Sequence, residues 1–200
     1  MSFRAFVVCE DHTLDQYVAV PVIKAMLSHL GKPQASVKAV TSPHLSGISQ
    51  VETHFEDVAE RYSQIGDLVF FVLDRDALDG LDGRGDRAAA FAGRVQRLEA
   101  AVSLKVVVIL AVEETEVWAI AGSRGDISAS WSEVRAERDS KERYFAPLVN
   151  KGDAQQPGAG RSRLIGASLR RGWQALSSAC PELREAELLV ESKIAAASGG

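Results

Sequence analysis

Only two cysteines occur in the 200 residues, Cys9 and Cys180, with most of the chain between them. That spacing excludes a dense disulfide framework and the paired-cysteine pattern of a zinc site, which leaves two reduced core thiols as the expectation. No uninterrupted apolar stretch approaches membrane-spanning length, and Met1-Ser2-Phe3-Arg4 leads into a short apolar run without a cleavable signal pattern. A cytoplasmic protein with no membrane association is expected. Basic excess is also missing: 23 Lys and Arg stand against 27 Asp and Glu, a formal net charge of -4. Bulk-charge coating of nucleic acid is therefore excluded, and any nucleic-acid contact must be local or metal-assisted. His12, His29, His44 and His54 lack an HExxH or CxxC companion, and no Gly-x-Ser-x-Gly elbow supports acyl transfer. Gly80, Gly83 and Gly85 lie among aspartates and lack the Lys-Ser/Thr of a phosphate-binding loop, so they read as a turn. No internal repeat is visible.

What is present is the composition of an ordinary globular protein, 46% hydrophobic and 25% charged, in a chain long enough to enclose a full core. Phe3 to Cys9 reads as a strand and Leu14 to Leu30 as a helix, with Pro21 expected to kink it or delay its start. Val37 to Val40 is a weaker strand. Val51 to Ile65 is an amphipathic helix, followed by the most apolar stretch of the chain, Leu68-Val69-Phe70-Phe71-Val72-Leu73, which reads as a strand buried on both faces. Arg87 to Val102 reads as a helix and Lys105 to Val112 as a second buried parallel strand. Lys151 to Gly160 is expected to be a mobile surface loop, and Ser162 to Leu176 and Glu182 to Val190 to be helices. The alternation implies an α/β three-layer, Rossmann-like fold with a mainly parallel central sheet, a core over residues 1–122, and a mixed loop and helical C-terminal extension over 123–200 packed on it.

Acidic residues follow three of the apolar strands: Glu10 with Asp11, Asp74 with Asp76, and Glu113 to Glu116. Parallel strands would place all three groups on one edge of the sheet, where open α/β sheets bind ligands. Carboxylates gathered there raise one another's pKa, and a divalent cation is the natural neutraliser. Taken singly, each group is equally well explained as a cap on the next helix.

Glu10 after a first strand, Asp74-Arg75-Asp76 after a later one, and a helix between them resemble the TOPRIM domain, the catalytic module of topoisomerases, primases and overcoming-lysogenization-defect nucleases. Glu116-Val117-Trp118 is similar to a Glu-x-Trp element of short stand-alone bacterial TOPRIM-related proteins of unknown function. The resemblance implies a Mg²⁺ (or Mn²⁺) site formed by Glu10, Asp74, Asp76 and Glu116, with Glu10 also a general acid or base. It implies cleavage of phosphodiester bonds in nucleic acid, in bacterial defence beside an ATPase partner. Asp11 departs from the pattern, because many relatives have Gly there. Relatives carry a later Lys, for which Lys141 is the counterpart, with Arg124, Arg161, Arg163, Arg170 and Arg171 as further cations. The alternative is a non-catalytic interaction or sensor subunit with a degenerate or structural metal site. Trp118, Trp131 and Trp173 are candidates for stacking on bases, although core packing is the commoner role.

Overall fold

The computed structural model describes residues 3–75 and 87–198. Four parallel strands, β1 (Arg4–Cys9), β2 (Ser36–Ala39), β3 (Leu68–Asp74) and β4 (Val106–Ala111), form one sheet in the order β2-β1-β3-β4. Cys9 is level with Val72, and Asp74 with Ala111. The chain moves from β1 outward to β2 and then returns to the other side of β1 for β3. The junction of β1 and β3 is therefore the point where strand order reverses, and the crevice opens there at the carboxyl ends.

Alternate residues of each strand enter two separate cores. Val7, Cys9, Phe70, Val72, Val107 and Ile109 face one side, while Val8, Val69, Phe71, Leu73 and Val106 face the other. This two-faced burial explains why β3 is an unbroken apolar run instead of an alternating one. On the first side pack α1 (Gln16–His29), α6 (Glu116–Ile120), α9 (Arg161–Arg170), α10 (Trp173–Ala179) and α11 (Pro181–Ser198). On the second lie α2 (Ile48–Thr53), α3 (Phe55–Ser63), α4 (Arg87–Arg97) and the short α5 (Ala100–Ser103). Two further short helices, α7 (Trp131–Ala136) and α8 (Lys151–Ala154), lie in the C-terminal part. The first core takes Val18 and Phe70 from before residue 122 and Leu164, Trp173 and Leu183 from after it. No described helix is long and apolar enough to cross a membrane.

Several local expectations change in the structure. Helix α1 runs through Pro21 instead of starting after it. The single helix expected from Val51 begins earlier and turns at His54, whose φ of -105° and ψ of 11° lie outside the helical basin, and both Val51 and Phe55 are buried. The helix from Arg87 ends at Arg97, because Leu98 turns into the core and Glu99 is extended. The helix from Ser162 breaks at Gly172, where φ is +90°. Lys151 to Gly160 is a compact turn containing α8 and not a loose loop. It packs on α1 so closely that a Cβ on Gly158 (φ +83°) would stand 2.5 Å from the Tyr17 ring.

Candidate functional site

β1 ends into Glu10, and β3 ends on Asp74 in the neighbouring strand. The Asp74 backbone amide donates to Glu10 Oε1 at 3.1 Å, which holds the Glu10 carboxylate against the end of β3 at the strand-order reversal. Asp74 Oδ1 in turn accepts from the Thr115 amide at 2.8 Å, so the loop after β4 closes the third side. That loop is strained: Glu113 has φ 63°, a left-handed conformation that a non-glycine residue adopts only when its surroundings enforce it.

After this loop Glu116, first residue of α6, turns inward, and only 2% of its surface is exposed. There it pairs with Arg161 of α9, equally buried, whose guanidinium hydrogen-bonds Glu116 Oε1. Lys141 Nζ approaches the same oxygen at 3.8 Å from a π-helical turn, Lys141–Phe145, whose irregular winding aims the lysine at the cleft. The Lys141 amide and the Ser140 hydroxyl both donate to Glu114 Oε2, at 2.7 and 2.9 Å, and fix that turn against the loop. The Arg161 guanidinium carbon lies 5.3 Å from the centre of the Phe145 ring.

A fourth carboxylate belongs to this group and was not anticipated from the sequence. Asp15, at the start of α1, is 9% exposed; its Oδ2 accepts from the Asp11 amide at 2.9 Å. The available signal was its spacing of five residues from Glu10 across a tight turn, closed by the Asp15 amide on the Asp11 carbonyl at 2.8 Å. Asp11 itself turns away. Its Oδ1 accepts from the amide and hydroxyl of Thr13, and these bonds, with one from Leu14, outweigh burial and hold its carboxyl below the ordinary range.

The electrostatics follow from this crowding. Burial first, then the charges of Glu116, Asp15 and Glu10, push Asp74 well above the usual carboxylate range, against the bond from Thr115. Asp15 is pushed up to about 6, mainly by burial, with Glu116 and Asp11 adding and the Asp11 amide and Arg161 opposing. Burial also raises Glu114, against the bonds from Lys141 and Ser140. Among the described residues, two cations, Arg161 and Lys141, reach into this acidic group at Glu116.

Of the expected site residues, the structure brings together Glu10, Asp74, Glu116 and Lys141; Asp76 lies outside the described residues. Glu116 is engaged by Arg161, Lys141 and, at 3.3 Å, the Thr115 hydroxyl. Among the described residues, no group of three or more His, Cys, Asp or Glu forms a metal cage. Mg²⁺ makes a smaller demand than such a cage, because it keeps several waters and takes only one or two carboxylates from a protein. Glu10 and Asp74 are two hard oxygen donors at the ends of neighbouring strands.

Among the other arginines, Arg163 pairs with Asp153, Arg124 donates to the Ala121 carbonyl, and Arg170 and Arg171 are exposed. All three indoles donate within the fold: Trp118 to Glu182 at 2.8 Å, Trp131 to the Ala179 carbonyl at 2.8 Å and Trp173 to Glu187 at 2.8 Å. That is the pattern of core tryptophans, and the Glu-x-Trp element joins the cleft, through Glu116, to α11, through Trp118. No protein-family model, curated protein or solved structure matches the chain.

Proposed function

We propose that the chain is a TOPRIM-like, divalent-metal-dependent phosphodiesterase acting on nucleic acid, with Mg²⁺ or Mn²⁺ held by Glu10 and Asp74. The observation that carries this reading is the Glu10 carboxylate held against the Asp74 backbone at the strand-order reversal, with Asp74 raised first by burial and then by the charges of Glu116, Asp15 and Glu10. When bound, the ion supplies Lewis-acid polarisation of a phosphoryl oxygen. Glu10 is placed to orient a water or take its proton. Lys141, whose side chain is 43% exposed, is free to swing from Glu116 toward negative charge developing on the phosphate. Arg161 is too buried to meet substrate and acts by holding Glu116 and the α6–α9 contact. A net charge of -4 disfavours unaided capture of nucleic acid, so a partner, such as the ATPase the resemblance implies, delivers the substrate. The cytoplasm suits this role, since Cys9 and Cys180 are buried free thiols.

The engagement of Glu116 by two cations favours a second reading, an interaction or sensor subunit whose acidic cleft holds a structural ion or none. The discriminating experiment measures nicking of DNA and RNA with Mg²⁺ or Mn²⁺ by wild type and Asp74→Asn, alongside calorimetric titration with Mn²⁺. The catalytic reading predicts a loss of about a hundredfold or more in the variant, as for removal of a group stabilising transition-state charge. Equal activity in the two proteins, or Mn²⁺ binding without cleavage, supports the second reading.

A further inference from the structure

A pocket of about 380 Å³ opens between α1 and the turn that joins α8 to α9, with Tyr17, Asp153, Gln156, Pro157, Ser162 and Arg163 in its walls. It adjoins the acidic crevice. Tyr17 stands two residues beyond Asp15, and Arg161, which holds Glu116 in the crevice, lies between Gly160 and Ser162 of the pocket wall. The turn has a demanding backbone: Gly158, Ala159 and Gly160 have φ of 83°, 46° and 89° in succession. Ala159 is left-handed without being glycine, a conformation kept only where the surroundings enforce it and found often at ligand clamps. The turn presses Gly158 so close to Tyr17 that a Cβ there would stand 2.5 Å from the ring, and a Cβ on Gly160 would stand 2.8 Å from Val149. The half-buried Tyr17 ring is thereby held in place, with Pro157 as a second apolar surface.

Charge decides what such a pocket takes. Arg163 Nε pairs with Asp153 Oδ2 and Arg163 Nη2 donates to the Leu148 carbonyl at 2.6 Å, so the two charged groups of the wall neutralise each other and an anion gains little there. The pair still leaves Arg163 Nη1 as a donor and Asp153 Oδ1 as an acceptor, and the exposed Gln156 amide and Ser162 hydroxyl add more of both kinds. A neutral pocket with an aromatic wall and mixed donors and acceptors matches a nucleobase, whose face stacks on such a ring and whose edge needs both kinds of partner.

We infer that this pocket receives the base of a nucleotide whose phosphate lies in the neighbouring crevice, which makes the substrate single-stranded nucleic acid. A base stacked on Tyr17, with its edge on Gln156 and the Arg163–Asp153 pair, is no longer available to a partner strand. Stacking is tolerant of sequence, so the pocket selects for an unpaired base more than for a particular one. The inference deepens the reading of the crevice as a phosphodiester site and rests on it.

Binding measured in EDTA at low salt tests it apart from cleavage. By fluorescence anisotropy, the full chain should hold a short labelled single strand about tenfold or more tighter than the blunt duplex of the same sequence. Tyr17→Ala should lose about tenfold, whereas Tyr17→Phe, which keeps the ring, should stay close to wild type. Gln156→Ala, at an exposed side chain, should weaken binding about threefold and keeps the test decisive if Tyr17→Ala unfolds. In amide NMR spectra, adenosine monophosphate should shift Tyr17, Gln156 and Ser162, and inorganic phosphate should leave them in place. Equal affinity for strand and duplex, unweakened binding by folded Tyr17→Ala or Gln156→Ala, or nucleotide shifts that miss these three residues would overturn the inference. If the predicted binding pattern holds in a protein that fails to nick DNA or RNA with Mg²⁺, the catalytic reading falls and the base pocket stands; nicking without that pattern removes the pocket alone.

Discussion

Replacing Arg161 by Met should destabilise the protein far more than loss of an ordinary surface arginine. Arg161 and Glu116 are each 2% exposed, and the guanidinium is the nearer of the two cations on that carboxylate. Removing it leaves a buried anion whose remaining cation, Lys141, stands 3.8 Å away on a side chain 43% exposed. Breaking a buried pair by removing one partner costs about 3–5 kcal/mol; partial compensation by Lys141 argues for the lower end, about 3 kcal/mol. For a chain of this length, that corresponds to a fall in Tm of about 6–12 °C. Urea unfolding at neutral pH of wild type, Arg161→Met, Glu116→Gln and the double variant measures it. The double variant should recover much of the loss, because a neutral amide beside a methionine removes the stranded charge, and a coupling of about 2 kcal/mol is expected. A loss below about 1 kcal/mol, or a double variant no more stable than Arg161→Met, would refute the claim that this pair holds α6 against α9.

The same cleft sets a pH dependence and a packing limit. Asp15 rises from its ordinary 3.8 in the unfolded chain to about 6 in the fold, so the folded state binds more protons between those values. The contribution of Asp15 to stability is therefore most favourable at low pH and is lost as pH climbs from about 4 to about 6, by about 3 kcal/mol in all. Asp15→Asn should grow more stable relative to wild type by that amount between pH 4 and 7 in urea melts; a pH-independent difference would contradict the assignment. A Cβ at residue 122 would stand 2.5 Å from the Ser168 backbone, where the Gly122 amide donates to the Ser168 hydroxyl oxygen at 2.6 Å. Gly122→Ala should cost about 1–3 kcal/mol by overpacking, read as a lowered Tm, and an unchanged Tm would mean that α9 does not approach this closely.

The layered parallel sheet was legible because burial on both faces leaves a plain trace: β3 and β4 are apolar without alternation, and each ends in acidic residues. Pairing of Glu10 with Asp74 required only that β1 and β3 be neighbours, which parallel α/β order suggests. Helix breaks were less legible. His54 ends α2 without Gly or Pro, and the packing of Lys151 to Gly160 on Tyr17 depends on a contact distant in sequence. Two features of the site were hidden for a related reason. In the sequence Arg161 is one of five further candidate arginines, and only the fold of α9 onto α6 distinguishes it from exposed Arg170 and Arg171. Asp15 looked like part of a helix start, and its place beside Asp74 depends on the turn that reverses the chain after β1.

A crystal of the chain soaked in Mn²⁺ and measured at the manganese absorption edge tests the central claim most directly. The account predicts an anomalous peak between Glu10 and Asp74, lost in Asp74→Asn crystals, with the Arg161–Glu116 pair intact in both. A soaked wild-type crystal with no peak at the ends of β1 and β3 would contradict it.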